Sequence, residues 1–268
     1  LTDSGRMMSD PFASRLRSHA TEKSLEDRPR RHRRPLTVVS PLHYTASYAY
    51  PLLVWLHHGG HNELQVEQVL PHISVRNYVA VGVRGNQATD VRGWGFDWSN
   101  GKSSVASARE AVIEAVEHVQ DHMNIHPERI VIAGYGSGAT MACRIALMEP
   151  DRFGCVAMMG GEFPSRQSVM REYHRLRQRR LPVLWQQAIN GVDDDPDRLK
   201  RGILAAESIR ARVEIRQYRG DDVMNAVALR DMDQWCFDTI IQPRPESTAD
   251  HSTMRPDEGL SPIDFSAN

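Results

Sequence analysis

The chain has 268 residues, 40% of them hydrophobic, enough apolar material to bury one large α/β core or two small ones. A formal net charge of -1 gives no global attraction to nucleic acid or to an anionic membrane surface. Three cysteines, Cys143, Cys155 and Cys236, lie far apart inside apolar segments, which argues against a disulfide framework and predicts reduced, buried thiols in a cytoplasmic setting. No apolar run approaches the roughly 20 residues needed to span a bilayer, and the polar N-terminus lacks the apolar core of a secretory signal, so no membrane partner is expected.

Residues 1–34 are poor in large apolar side chains and end in RPRRHRRP, with five arginines crowded around His32. Too little surface is available there to offset the entropy of ordering, so this stretch reads as a flexible basic arm. It is either a solvated extension or an arm that binds phosphate, a protein partner or a second copy. Without interleaved aromatics it is not expected to bind nucleic acid.

From Leu36 the pattern changes. Leu36–Val39 predicts a short strand, and Pro51–His57 (PLLVWLH), apolar on both faces, a buried one. Asn62 is placed to cap a helix through Leu64, Val66, Val69 and Leu70. Tyr78–Val83 predicts the next strand. The glycine-rich loop after it carries Trp94, Phe96 and Trp98, and a helix spans about 103–123. Gly154–Met159, Pro182–Gln186 and Val213–Tyr218 predict strands, and Gln167–Gln178 a surface helix. Asp195 before Pro196 marks a helix start running to about Ile209, and Ala226–Ile241 the last helix. Strands alternating with helices at this spacing imply a mostly parallel sheet covered on both faces, an α/β fold. The expected organisation is an arm over 1–34, one domain over 35–242 and a polar, acidic tail over 243–268.

The central stretch reads RIVIAGYGSGATMACRIAL, from Arg129 to Leu147: a β-branched run, a turn dense in glycine and a helix of small residues. Serine hydrolases carry G-x-S-x-G at such a turn. Here the middle residue is Gly136, flanked by Gly134 and Gly138.

Together with YPLLVWLHHGGHNE, the AGYGSGATMACRIALMEPDRF continuation and the PVLW and VEIRQYRGDD segments, this turn resembles the phospholipase/carboxylesterase family of α/β hydrolases, which includes feruloyl-esterase-like and acyl-protein-thioesterase-like enzymes. The resemblance covers about residues 36–242 and implies the α/β-hydrolase fold. It puts Gly136 at the nucleophile, Asp222 at the histidine and Gly191 at the acid, with Asp193, Asp194 and Asp195 just beyond. It also implies oxyanion-hole amides at Gly59 and Ser137. An aspartate, with an ordinary pKa of about 3.9, is a poor substitute for the imidazole base.

Three functions are carried forward. The leading one is a family member with a degenerate triad that acts by binding a small ligand or a protein. The second is an active ester hydrolase using Ser137. The third is a scaffold working through its charged tails, including a homo-oligomer formed through the basic arm. The resemblance places Trp94, Phe96 and Trp98 beside the acyl cleft with His57 and His58. There the rings either wall a site for an apolar or aromatic ligand, or plug the cleft or pack the loop. His57, His58 and His61 lack a carboxylate or cysteine at a supporting spacing, so neither a metal nor a cofactor is expected.

Overall fold

The structure is a computed structural model that describes residues 34–165, 170–189 and 195–242. The arm over 1–33, the acid position Gly191 with Asp193 and Asp194, and the tail from 243 lie outside the described residues.

The apolar run expected at residue 51 forms β2 (Tyr50–Leu56), buried at every position. Its side chains alternate between two cores, as a strand covered on both faces requires. Leu52, Val54 and Leu56 join one cluster and Leu53 and Trp55 the other. β3 (Val79–Val83), β6 (Ile125–Tyr135), β7 (Cys155–Met159), β8 (Pro182–Ala188) and β9 (Arg212–Tyr218) extend the same parallel sheet. β1 (Leu36–Val39) pairs antiparallel with β3 and closes one edge, giving the order β1-β3-β2-β6-β7-β8-β9. The sheet is thus mostly parallel, with its one antiparallel strand at an edge.

Helices cover both faces. α2 (Lys102–His122), α3 (Ser137–Met148), α4 (Tyr173–Arg179) and α5 (Pro196–Ser208) pack on the face of Leu52 and Val54. α1 (Gln65–Ile73) and α6 (Ala226–Cys236) pack on the other. A short antiparallel hairpin, β4 (Gln87–Ala88) and β5 (Phe96–Asp97), stands in the loop after β3. All three cysteines are free and buried. Among the described residues no helix is long and apolar enough to cross a membrane.

Several local readings change in detail. Asn62 does not cap α1; its Oδ1 accepts from Leu64 N (2.9 Å) in an Asx turn one step ahead of the helix. Leu64 is correspondingly exposed rather than part of the buried face. The last helix is α-helical only to Cys236 and continues as a π-helical turn over Phe237–Ile241. Asp195 does cap α5, its carboxylate accepting from Asp197 N (2.9 Å), with Pro196 opening the first turn.

Candidate functional site

β6 ends at Tyr135, Gly136 makes the turn, and α3 begins at Ser137. Gly136 has φ 56° and ψ -118°, a backbone state that only glycine occupies without strain. The turn is tied down by Gly136 N donating to Met159 O (2.8 Å) and Thr140 N donating to Gly136 O (3.2 Å). Gly134 and Gly138 serve a different purpose, since a Cβ at Gly134 would sit 2.7 Å from the Gly138 backbone. They let the start of α3 press against the end of β6 and the end of β2.

The space above Gly136 is taken. A Cβ there would lie 2.6 Å from His58 Nδ1 and 2.9 Å from His58 Cε1, so the imidazole stands where a side chain at this turn would project. His58 is held from both ends. Its backbone N–H donates to the buried Gln65 Oε1 (3.2 Å), which also accepts from Trp55 Nε1 (3.0 Å). Its ring lies on Tyr135, centroids 4.5 Å apart. Tyr135 in turn donates its hydroxyl to Asp222 Oδ2 (2.6 Å), and Asp222 Oδ1 accepts from Met224 N (2.9 Å). His58 Nδ1 is shielded from solvent and has no hydrogen-bond partner.

Ser137 is partnered by a carboxylate. Its hydroxyl donates to Asp97 Oδ1 (2.6 Å), which also accepts from Trp98 N (2.7 Å). The single hydroxyl proton is therefore engaged away from any imidazole. The same carboxylate lies against Gly59, where a Cβ would be 3.0 Å from Asp97 Oδ2. Asp97 thus abuts both residues expected to offer oxyanion-hole amides. A negative charge there opposes the development of a second one. Asp97 was not singled out in the sequence. Its only signal was a position beside Trp98 in an aromatic loop, and nothing local reveals that the hairpin folds back onto α3.

His57 is corrected from a cleft residue to a structural one. It is fully buried, Gly85 N donates to its Nε2 (2.8 Å), and its Nδ1 lies 2.8 Å from His58 O, so Nδ1 carries the proton. Burial lowers its pKa to about 4. The aromatic wall is corrected too. Trp98 faces the core and donates from Nε1 to His57 O (2.8 Å). Phe96 is half-buried beneath Arg84, whose Cζ is 4.6 Å from the ring centre and whose guanidinium pairs with the buried Glu63. Trp94 alone is outward, 72% exposed, at the tip of a turn that Asp90 fastens through Gly95 N (2.6 Å) and Trp94 N (3.2 Å). Backbone pairing fixes Phe96 to the loop at His61. A continuous strand would put residues 94, 96 and 98 on one face, but β5 spans only Phe96–Asp97 and the turn before it carries Trp94 outward, so the rings do not converge.

With both nitrogens of His57 engaged, the three histidines do not converge on a point. Among the described residues no three His, Cys, Asp or Glu side chains are arranged to hold a metal ion.

The model of the phospholipase/carboxylesterase family matches residues 62–211. Among solved structures, the chain is similar to the Bacillus cereus carboxylesterase (14% identity, 76% of this chain and 94% of that one, TM-score 0.60). It is also similar to Staphylococcus aureus FphF, a fluorophosphonate-binding serine hydrolase (13%, 75% and 91%, 0.58). A third similar structure is Arabidopsis thaliana SOBER1 (16%, 70% and 98%, 0.56). At these identities the likeness is one of fold. No curated protein sequence matches significantly.

Proposed function

Since the chain belongs to the phospholipase/carboxylesterase family, we propose that it keeps the α/β-hydrolase architecture without serine ester hydrolysis and acts by binding. The observation that carries this reading is the His58 ring in the space a nucleophile would need at Gly136. Three further features support it. The Ser137 hydroxyl proton is directed to the Asp97 carboxylate and not to an imidazole. The histidine position is taken by Asp222, bound to Tyr135. Asp97 brings negative charge to the two residues that would have to stabilise an oxyanion.

The binding surface in this reading is the rim of the site. Exposed Trp94 (72%) stands there, its carbonyl oxygen accepting from Asn62 Nδ2 (3.0 Å), with exposed Val91 and Leu64 on the same loops. A small number of outward aromatic and aliphatic side chains on a fastened turn suits a protein partner better than an enclosed small molecule. The three free, buried cysteines support a cytoplasmic setting.

A competing reading, hydrolysis by Ser137, has one observation in its favour, the short bond from its hydroxyl to Asp97. A fluorophosphonate probe separates the two. The binding reading expects no stoichiometric labelling of the full chain; labelling that Ser137→Ala abolishes would sink it.

A further inference from the structure

Among the described residues β9 is the outermost strand, with β8 as its one neighbour. Alternate residues of a parallel strand turn both backbone groups to the same side. Arg212 N donates to Leu181 O (3.0 Å) and Tyr218 O accepts from Ile189 N (2.9 Å). Arg212, Glu214, Arg216 and Tyr218 therefore address β8. Val213, Ile215 and Gln217 present their backbone N–H and C=O groups outward. Side chains follow the same two-residue period. Val213 and Ile215 pack into the core beneath α5, while Glu214 and Arg216 share the opposite face, bound to each other at 2.7 Å.

We propose that a second copy of this chain docks antiparallel on β9 about a two-fold axis through Ile215, making one sheet continuous across both copies. Three features of β9 meet in that register. The pairs Ile215 with Ile215, and Val213 with Gln217 in both directions, fall where the outward backbone groups exchange two hydrogen bonds per pair. Glu214 of each copy falls opposite Arg216 of the other at non-hydrogen-bonded positions, where Cα atoms approach to about 4.5 Å and opposite charges attract. All of β9 from Arg212 to Tyr218 is paired. Shifting the axis to Val213 leaves the far end of the strand unpaired, and shifting it to Gln217 puts Arg216 opposite Tyr218. Charge along an exposed edge usually wards off other strands. Here the signs alternate so that the edge is complementary to itself, which identifies the occupant as another copy. Such an interface is isologous and closed, so it stops at two.

The test uses the full chain and does not depend on what the elbow site binds. Sedimentation at about 1 to 100 μM is expected to show a concentration-dependent dimer. Glu214→Arg and Arg216→Glu each put like charges opposite one another, and each is expected to weaken dimerisation by at least about tenfold. Mixed together, the two variants carry opposite charges at the facing positions and are expected to form a heterodimer of near wild-type affinity. Gln217→Pro removes an outward N–H while leaving the ladder to β8 intact, and is expected to abolish the dimer with circular dichroism unchanged. A wild-type chain that stays monomeric overturns the proposal. So does a dimer indifferent to the single charge reversals, and so does a mixture of the two variants that remains monomeric.

Discussion

At the scale of single residues, His58 and Gly136 form one unit. Adding a Cβ at 136 imposes both a backbone angle that L-residues resist and a contact at 2.6 Å with an imidazole that Gln65 and Tyr135 hold in place. Gly136→Ala and Gly136→Ser are each expected to lose about 1–3 kcal/mol of stability in urea denaturation. Gly136→Ser is expected to gain no esterase turnover, because the His58 ring fills the space the new hydroxyl needs, 2.6 Å from the Cβ, and must be pushed aside instead of standing at hydrogen-bond distance to take the proton. Pairing Gly136→Ser with His58→Ala is expected to recover part of the lost stability, and this non-additivity is what a double-mutant cycle measures. Additive losses would mean that the ring yields freely. His57 makes a separate prediction. Its folded pKa of about 4 lies below its unfolded value of 6.5, so the folded state binds fewer protons in between. The associated stability is complete above about pH 6.5 and is lost as pH falls toward 4, roughly 3 kcal/mol in all. Urea midpoints for wild type and His57→Gln at about pH 7 and pH 4.5 check this, the variant being expected to show a shallower decline.

Among the elements, α6 shows how a helix start is fixed by a residue that hydropathy alone passes over. Asn225 is buried, and its Oδ1 accepts from both Val227 N (3.1 Å) and Ala228 N (2.9 Å). Asn225→Ala is expected to cost about 1–2 kcal/mol in thermal or chemical denaturation, because two orphan donors lose their partner in a place water does not reach. A loss no larger than that of an exposed alanine substitution would show the cap to be dispensable. β2, β3 and β7 were legible from sequence because their runs are apolar on both faces, and together with β1 and β9 they fall within about a residue or two of their expected limits. The hairpin of β4 and β5 was not, because strands of two residues carry no periodicity to read.

For the whole molecule, the parallel sheet brings the ends of β2, β3 and β6 to one edge, and everything at the candidate site follows from that convergence. The sequence left open whether the three rings on one loop wall a ligand site, plug the cleft or pack the loop. In the fold the loop is threaded between α3 and the His58–His61 turn, so Trp98 turns to the core, Phe96 lies under Arg84 and Trp94 faces solvent. Local clustering records proximity along the chain, whereas direction is set by the elements that each residue pairs with. The same holds for Ser137. From sequence it was a helix-start serine displaced by one residue from the nucleophile position, and only the fold supplies Asp97 from forty residues away as its partner.

By itself the sequence determined a mostly parallel α/β sheet covered on both faces, the glycine-dense turn between strand and helix, and the absence of a serine from its centre. These depend on hydrophobic periodicity and on glycines at fixed offsets, which are local properties. The tertiary structure alone decided what fills the space above that glycine. His58 reaches it from the end of β2, and Asp97 reaches the neighbouring Ser137 from the hairpin after β3. Neither residue is near Gly136 in sequence, and their positions are set by long-range strand pairing and by buried hydrogen bonds that no local pattern encodes.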